Sequence, residues 1–225
     1  PSQAEVPALS FTPTLFRALT DNDAIQVGWL RDLIARRVAW SALADGLPPG
    51  VEASVDLAPV DDGSGWWRLA ASIRLDEAHA DVPRVGLTAT LPPSFDRLEW
   101  YGDGPHECYP DRRAAAVVGR WRATVAEQYV PYALPQEHGH HTGLRWLAVT
   151  DPAHRQGLLV VSDEPGALGW SVRHHDDAEL FAAAHVDELT PLDRPRHTVL
   201  ALDAAQRGLG TASCGPDALE RYRTR

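Results

Sequence analysis

Residues 91–113 read LPPSFDRLEWYGDGPHECYPDRR, and residues 114–151 continue AAAVVGRWRATVAEQYVPYALPQEHGHHTGLRWLAVTD. The run from Leu91 to Asp151 decides the fold. Short apolar segments such as Arg97 to Tyr101 and Arg145 to Val149 predict strands. Between them stand Gly102-Asp103-Gly104-Pro105, Tyr109-Pro110-Asp111 and Pro135-Gln136-Glu137-His138-Gly139, turn formers with a fixed or positive φ. So many rings and turns in one run predict a rigid platform.

Working outward, the same strand pattern continues on both sides. Val51 to Val60 and Trp66 to Leu75 are joined by Asp61-Asp62-Gly63-Ser64-Gly65. Trp67, Leu69, Ala71, Ile73 and Leu75 alternate with a period of two, which predicts a hairpin. Val85, Leu87, Ala89 and Leu91 repeat the alternation. Gly157 to Asp163, Gly169 to His174 and His197 to Asp203 supply further strands. One helix is expected between Val27 and Trp40, where Trp29, Leu30, Leu33, Ile34 and Val38 recur at helical spacing. Pro216-Asp217-Ala218-Leu219-Glu220 is a helix start, with proline in its first turn. About ten short strands without strand-helix alternation argue an antiparallel sandwich rather than a (β/α)₈ barrel.

The chain has 225 residues, 44% hydrophobic and 23% charged. Those are values for a soluble globular protein, read as one domain over residues 1–225 with residues 1–14 as a leading strand or linker. No apolar run reaches the roughly eighteen residues of a membrane span, and no signal peptide stands out. A formal net charge of −10 argues against nucleic acid, whose binding draws on clustered basic side chains. A neutral sugar is indifferent to it. The chain opens on Pro1 and contains no Met, so a piece of a longer protein is expected. Cys108 and Cys214 read as free thiols of a reducing, cytoplasmic compartment.

Trp100-Tyr101-Gly102, Gly104-Pro105, Glu107 and Tyr109-Pro110-Asp111-Arg112 are followed by Tyr129, Pro131-Tyr132, Pro135-Gln136-Glu137, Gly139 and Arg145-Trp146. This ordered series resembles the C-terminal small-chain domain of glycoside hydrolase family 2 β-galactosidases. Leu15-Phe16-Arg17-Ala18 with Asp21-Asn22-Asp23 resembles that family's opening segment. Gln206-Arg207-Gly208-Leu209-Gly210 through Ser213-Cys214-Gly215-Pro216 resembles its closing one. The match is weakest from Ala24 to Val82. The resemblance implies an all-β fold, a large antiparallel β-supersandwich of the galactose mutarotase-like kind. It implies a domain that completes the active-site rim of a homo-oligomeric enzyme acting on β-galactosides, with the remaining domains of that enzyme as partners. Magnesium and sodium ions, common in such enzymes, would sit outside this chain, which itself binds no cofactor.

Glycoside hydrolysis needs two carboxyl groups flanking one bond. None of the 31 acidic residues forms a pair in a diagnostic context. In the family the acid/base and nucleophile lie on a separate barrel domain, so no catalytic residue is assigned here. From the residues alone, Asp21-Asn22-Asp23 is a turn whose side chains bond their own backbone, and the calcium-loop pattern is missing. The family places the loop just after this triplet at the active site, although Ala24-Ile25 stand where a glycine is usual. Asp21, Asn22, Asp23 and Cys214 are therefore the rim candidates. Cys214 aligns where the best-known relatives place a Trp against the leaving-group site, and a thiol offers a polarizable contact instead of a stacking plate.

Glu137, His138, His140 and His141 form the densest cluster of titratable groups. Three readings stand side by side: a metal site lacking a further ligand, an acid/base pair of the mutarotase kind, and, as the family resemblance implies, a structural Glu137 that fixes turns. Trp100, Tyr101, Trp121, Tyr129, Tyr132 and Trp146 could stack on sugar rings, but most are expected in the core. Trp100, Tyr101, Gly102, Glu107, Tyr109, Asp111, Arg112, Gln136, Glu137, Arg145 and Trp146 make up the structural platform. Two alternatives to the galactosidase domain remain: a free-standing carbohydrate-binding module, or an aldose epimerase using Glu137 and a histidine.

Overall fold

The computed structural model describes residues 9–23 and 31–224. Eleven strands lie among them. In chain order β1 is Thr12–Thr14, β2 Glu52–Pro59, β3 Trp67–Arg74, β4 Arg84–Leu91, β5 Arg97–Gly104 and β6 Val117–Thr124. β7 is His141–Leu144, β8 Trp146–Thr150, β9 Gly157–Val161, β10 Leu168–Arg173 and β11 Thr198–Gln206. They form a five-stranded sheet in the order β1-β4-β11-β10-β7, a four-stranded sheet in the order β6-β5-β8-β9, and the separate hairpin β2-β3. All strand pairs are antiparallel. The all-β sandwich expected from alternation is therefore what the chain adopts.

Alternation also locates the core. Leu98 and Trp100 of β5 with Leu147 and Val149 of β8 face Trp170 and Val172 of β10 and Leu200 and Leu202 of β11, all buried in one cluster. Trp100 and Trp170 meet edge to face, 5.3 Å between ring centres. Burying such side chains stabilises by about 1.5–3 kcal/mol each. A second cluster, with Leu15, Phe16, Leu19, Trp40, Leu43 and Val82, lies beneath the β2-β3 hairpin through Ile73 and Leu75.

Two expectations need correction. Helix α1 spans Arg31–Ser41, and its expected first residues, 27–30, lie outside the described residues. Val38, assigned to the apolar face, is 66% exposed, whereas Trp40 is buried and donates to the carbonyl of Asp81 at 2.9 Å. The expected helix at Pro216 is only a single 3₁₀ turn, Glu220–Tyr222. Leu219 is extended (φ −60°, ψ 149°), and the Asp217 carboxylate is engaged by Arg207 and Arg36. A second helix, α2 at Asp177–Ala182, starts where the Asp176 side chain accepts from the Glu179 amide.

Both thiols are free: Cys108 is buried and Cys214 exposed. No helix among the described residues is long and apolar enough to cross a membrane.

Candidate functional site

Two segments far apart in the chain, residues 21–23 and 210–213, meet at one place. Asp21–Asp23 form a 3₁₀ turn, and its middle residue faces the segment 210–213. Asn22 Oδ1 accepts from Ser213 N (3.2 Å) and from Ser213 Oγ (2.7 Å), while Asn22 Nδ2 donates to the Gly210 carbonyl (3.1 Å). Beyond Ser213 the chain closes on itself. Thr211 N donates to the Pro216 carbonyl, and Cys214 N and Gly215 N donate to the Thr211 carbonyl. Cys214 is left on the outside of this tight loop.

The platform holds the base of that loop. Asp111 accepts from Leu209 N at 3.0 Å and from Gly210 N at 2.7 Å, one amide on each carboxylate oxygen. Gly210 has φ +66°, and a Cβ there would fall 2.5 Å from the Ala218 amide nitrogen, so only glycine passes this point without displacement. Gln136 Oε1 accepts from Asp21 N at 3.3 Å and ties the other loop to the same platform. Glu107 plays a similar part: it accepts from Gly139 N at 2.8 Å and is contacted by Arg112 and Tyr132.

The triplet divides by role. Asp23 is completely buried, paired with Arg17 at 3.2 Å and bonded by the amide and hydroxyl of Thr20. It faces inward, so the link to the Cys214 loop is made by Asn22, with Asp21 partly buried beside it.

Glu137 is held by side chains, not by turn amides. One oxygen accepts from Arg84 (3.4 Å) and Gln206 (3.2 Å), the other from Arg173 (2.8 Å). All three members of this ion-pair set are buried. Asp177, at the start of α2, also binds Arg84 (2.8 Å) and Arg173 (3.0 Å). Burial would raise the Asp177 pKa, but Arg173 and Arg84 outweigh it and hold the carboxyl well below the usual range. Burial likewise opposes the charge of Arg84, and Asp203, Asp177 and Glu137 more than restore it. With both oxygens occupied, Glu137 is not placed as a free acid or base.

The neighbouring histidines are packed as rings. His141 stacks on Trp170, 4.6 Å between centres and 13° between planes, and His140 stacks on Tyr109. Burial pushes His138 and His141 down to about 3, helped by the charges of Arg173 and His140 respectively. Burial pushes the Tyr109 hydroxyl well up. Among the described residues no three His, Cys, Asp or Glu side chains are grouped to hold a metal ion.

Of the aromatic candidates, Trp100 is core and donates to the Asp103 carbonyl. Tyr101 is 40% exposed, with the Arg145 guanidinium 5.3 Å from its ring centre. Trp146, its cross-strand partner, is half-buried. Sequence reasoning missed the buried arginines 17, 84, 173 and 207; Arg84 and Arg173 stand at strand ends, where an arginine reads as solvent-facing until the covering segments are known.

Comparison with known proteins gives a consistent picture. The family model described as beta galactosidase small chain matches residues 2–225. A beta-galactosidase of Arthrobacter sp. (strain B7) is 39% identical over 165 residues, 67% of this chain and 16% of that protein. One from Vibrio cholerae is 40% identical over 129 residues, 57% of this chain and 11% of its own length. One from Lactobacillus delbrueckii subsp. bulgaricus is 29% identical over 214 residues, covering 88% of this chain and 20% of the relative. The chain thus spans a fifth or less of each of these relatives.

Proposed function

The chain belongs to the β-galactosidase small-chain family, and from that premise we propose that it completes the active-site rim of a β-galactosidase whose catalytic carboxylates lie on other domains. The observation that carries this reading is the Asn22–Ser213 junction. It joins the two segments expected at the rim and leaves Cys214 exposed on the loop it fixes. The substrate on this reading is a terminal β-D-galactoside, and the partners are the remaining domains and further copies of the same enzyme. The relatives' names support a β-galactosidase context; the rim and the assembly role are our own inference.

Within that role the chemistry of this chain is positional. Asp111 and Asn22 hold the 209–216 loop in one conformation, so its outer surface can meet a leaving group without paying the ordering entropy at each turnover. The test is an assay of three preparations with an aryl β-galactoside: the 225 residues alone, the remaining domains alone, and the complete polypeptide. Turnover is expected only in the third. Turnover by the 225 residues above a buffer blank would overturn the reading, and so would full activity of the remaining domains without them.

A further inference from the structure

β9 is an outer strand of the four-stranded sheet, bonded to β8 on one side only. At its two ends Ser162 N donates to the Arg145 carbonyl at 2.9 Å, and Asp151 N to the Gln156 carbonyl at 3.0 Å. Bonding in an antiparallel ladder alternates residue by residue. Leu158 and Val160 therefore bond to β8, and the amides and carbonyls of Gly157, Leu159 and Val161 point away from it. Among the described residues nothing pairs with those outward groups. Leu159 is 47% and Val161 53% exposed, while Leu158 and Val160 pack against the core cluster.

An open strand edge is a template for further pairing, and proteins guard such edges with charge, proline, brevity or bulges. The other outer strands of the two sheets are guarded. β1 has three residues, Pro13 among them. β7 has four, and its pairing with β10 shifts register. β6 carries Arg120 and Arg122. β9 reads Gly157-Leu158-Leu159-Val160-Val161, with neither charge nor proline.

The strand that fits this edge is uncharged and apolar on both faces, because Leu159 and Val161 lie outward beside Ala148 and Trp146 of β8 while Leu158 and Val160 extend the core. β9 itself is such a strand. Two copies of it, antiparallel about a two-fold axis at Leu159, are self-complementary. Leu159 then meets Leu159, and Val161 of each copy stands opposite Gly157 of the other. In this register every outward amide and carbonyl of Gly157, Leu159 and Val161 is bonded. Gly157 presents no side chain to the facing valine, and a Cβ there would fall 2.6 Å from the Thr150 side chain. Just beyond the strand ends, the register brings Arg155 of one copy alongside Asp163 of the other. Both are exposed; Arg155 reaches Asp151 only at 3.9 Å, and Asp163 forms no ion pair among the described residues.

We propose that β9 is a self-pairing edge, through which two copies of the enzyme join their four-stranded sheets into one continuous sheet. This rests on the assembly part of the function proposed above and not on the Asn22–Ser213 rim, so either can fail while the other holds.

The test is mass photometry of the complete polypeptide and of its Leu159→Lys and Leu159→Glu variants, with far-UV circular dichroism to show that the fold is kept. Residue 159 is exposed and its backbone does not bond β8, so both variants should fold. Like charges directly opposite each other destabilise a strand pair. Each variant alone should therefore show half the mass of the parent assembly, and an equimolar mixture of the two should recover the parent mass. Amides of Gly157, Leu159 and Val161 should exchange severalfold faster in the dissociated variants than in the parent. A monomeric parent, or parent mass in both folded variants, would overturn the proposal. So would a mixture of folded variants that does not reassemble, or protection of those amides that persists after dissociation, which would assign the edge to a strand of the same polypeptide.

Discussion

Asn22 and Ser213 are 191 positions apart, yet Asn22 Oδ1 accepts from both the amide and the hydroxyl of Ser213, at 3.2 and 2.7 Å. One side chain thus closes the chain's two outer segments into a single edge. Asn22→Ala should leave the sandwich intact and release the loop. Amide exchange in residues 211–216 should rise severalfold, with global stability lowered by about 1 kcal/mol. Exchange in that loop identical to the parent protein would show that the loop's internal bonds suffice.

Asp111→Ala removes the acceptor for two amides, Leu209 and Gly210. Leaving such donors unmet costs about 1–3 kcal/mol, and the urea midpoint should fall accordingly. Glu107→Ala, which strands the Gly139 amide, should behave alike. An unshifted midpoint for either would show that water replaces the carboxylate.

Glu137→Gln leaves Arg84 and Arg173 facing each other inside the protein with one carboxylate fewer. Breaking a buried pair in this way costs about 3–5 kcal/mol. Equilibrium unfolding should show a loss in that range, larger than for any surface ion pair such as Arg74–Glu52. A loss below about 1 kcal/mol, the size of an exposed pair, would mean that Asp177 and Asp203 suffice to balance both arginines.

His138 and His141, held at about 3 by burial, should make the protein acid-labile. Between about pH 6.5 and pH 3 the unfolded chain binds protons that the folded one refuses. The stability they contribute is complete above 6.5 and is lost as the pH falls, on the order of 1.4 kcal/mol per histidine per pH unit. Asp177, with its pKa depressed by Arg173 and Arg84 once burial is overcome, adds a further loss only below the ordinary carboxylate range. Unfolding midpoints should hold near pH 7 and decline from about pH 6.5 to pH 4.5. A flat profile would place these rings in contact with water.

The strands were legible because one face of each is apolar: β4, β5, β8 and β10 follow their alternation into the core, and Asp61 to Gly65 marks the hairpin turn. Helix α2 carried a readable signal, Asp176 followed by Glu179 at capping distance, but six residues give too little periodicity to stand out. Val38 was misplaced because spacing fixes a helix face and says nothing of what covers it. The buried arginines were hidden for the same reason. Arg84 and Arg173 point to the second face of the five-stranded sheet, and the folded path of residues 136–141, helix α2 and Asp203 of β11 together supply their carboxylates. At the proposed rim, the pairing of two distant segments came from family resemblance, while the choice of Asn22 over Asp23 as the contact required the structure.

The rim assignment is tested most directly by comparing KM for lactose with KM for methyl β-D-galactoside in the complete polypeptide and in Cys214→Trp. The indole would add a flat apolar wall at the leaving-group site, and of the two only lactose brings a second ring to stack on it. Such contact is worth about 0.5–1.5 kcal/mol, so KM for lactose should fall severalfold while KM for the methyl glycoside stays nearly constant. Equal changes in both, or none in either, would contradict the placement of Cys214 at the active-site rim.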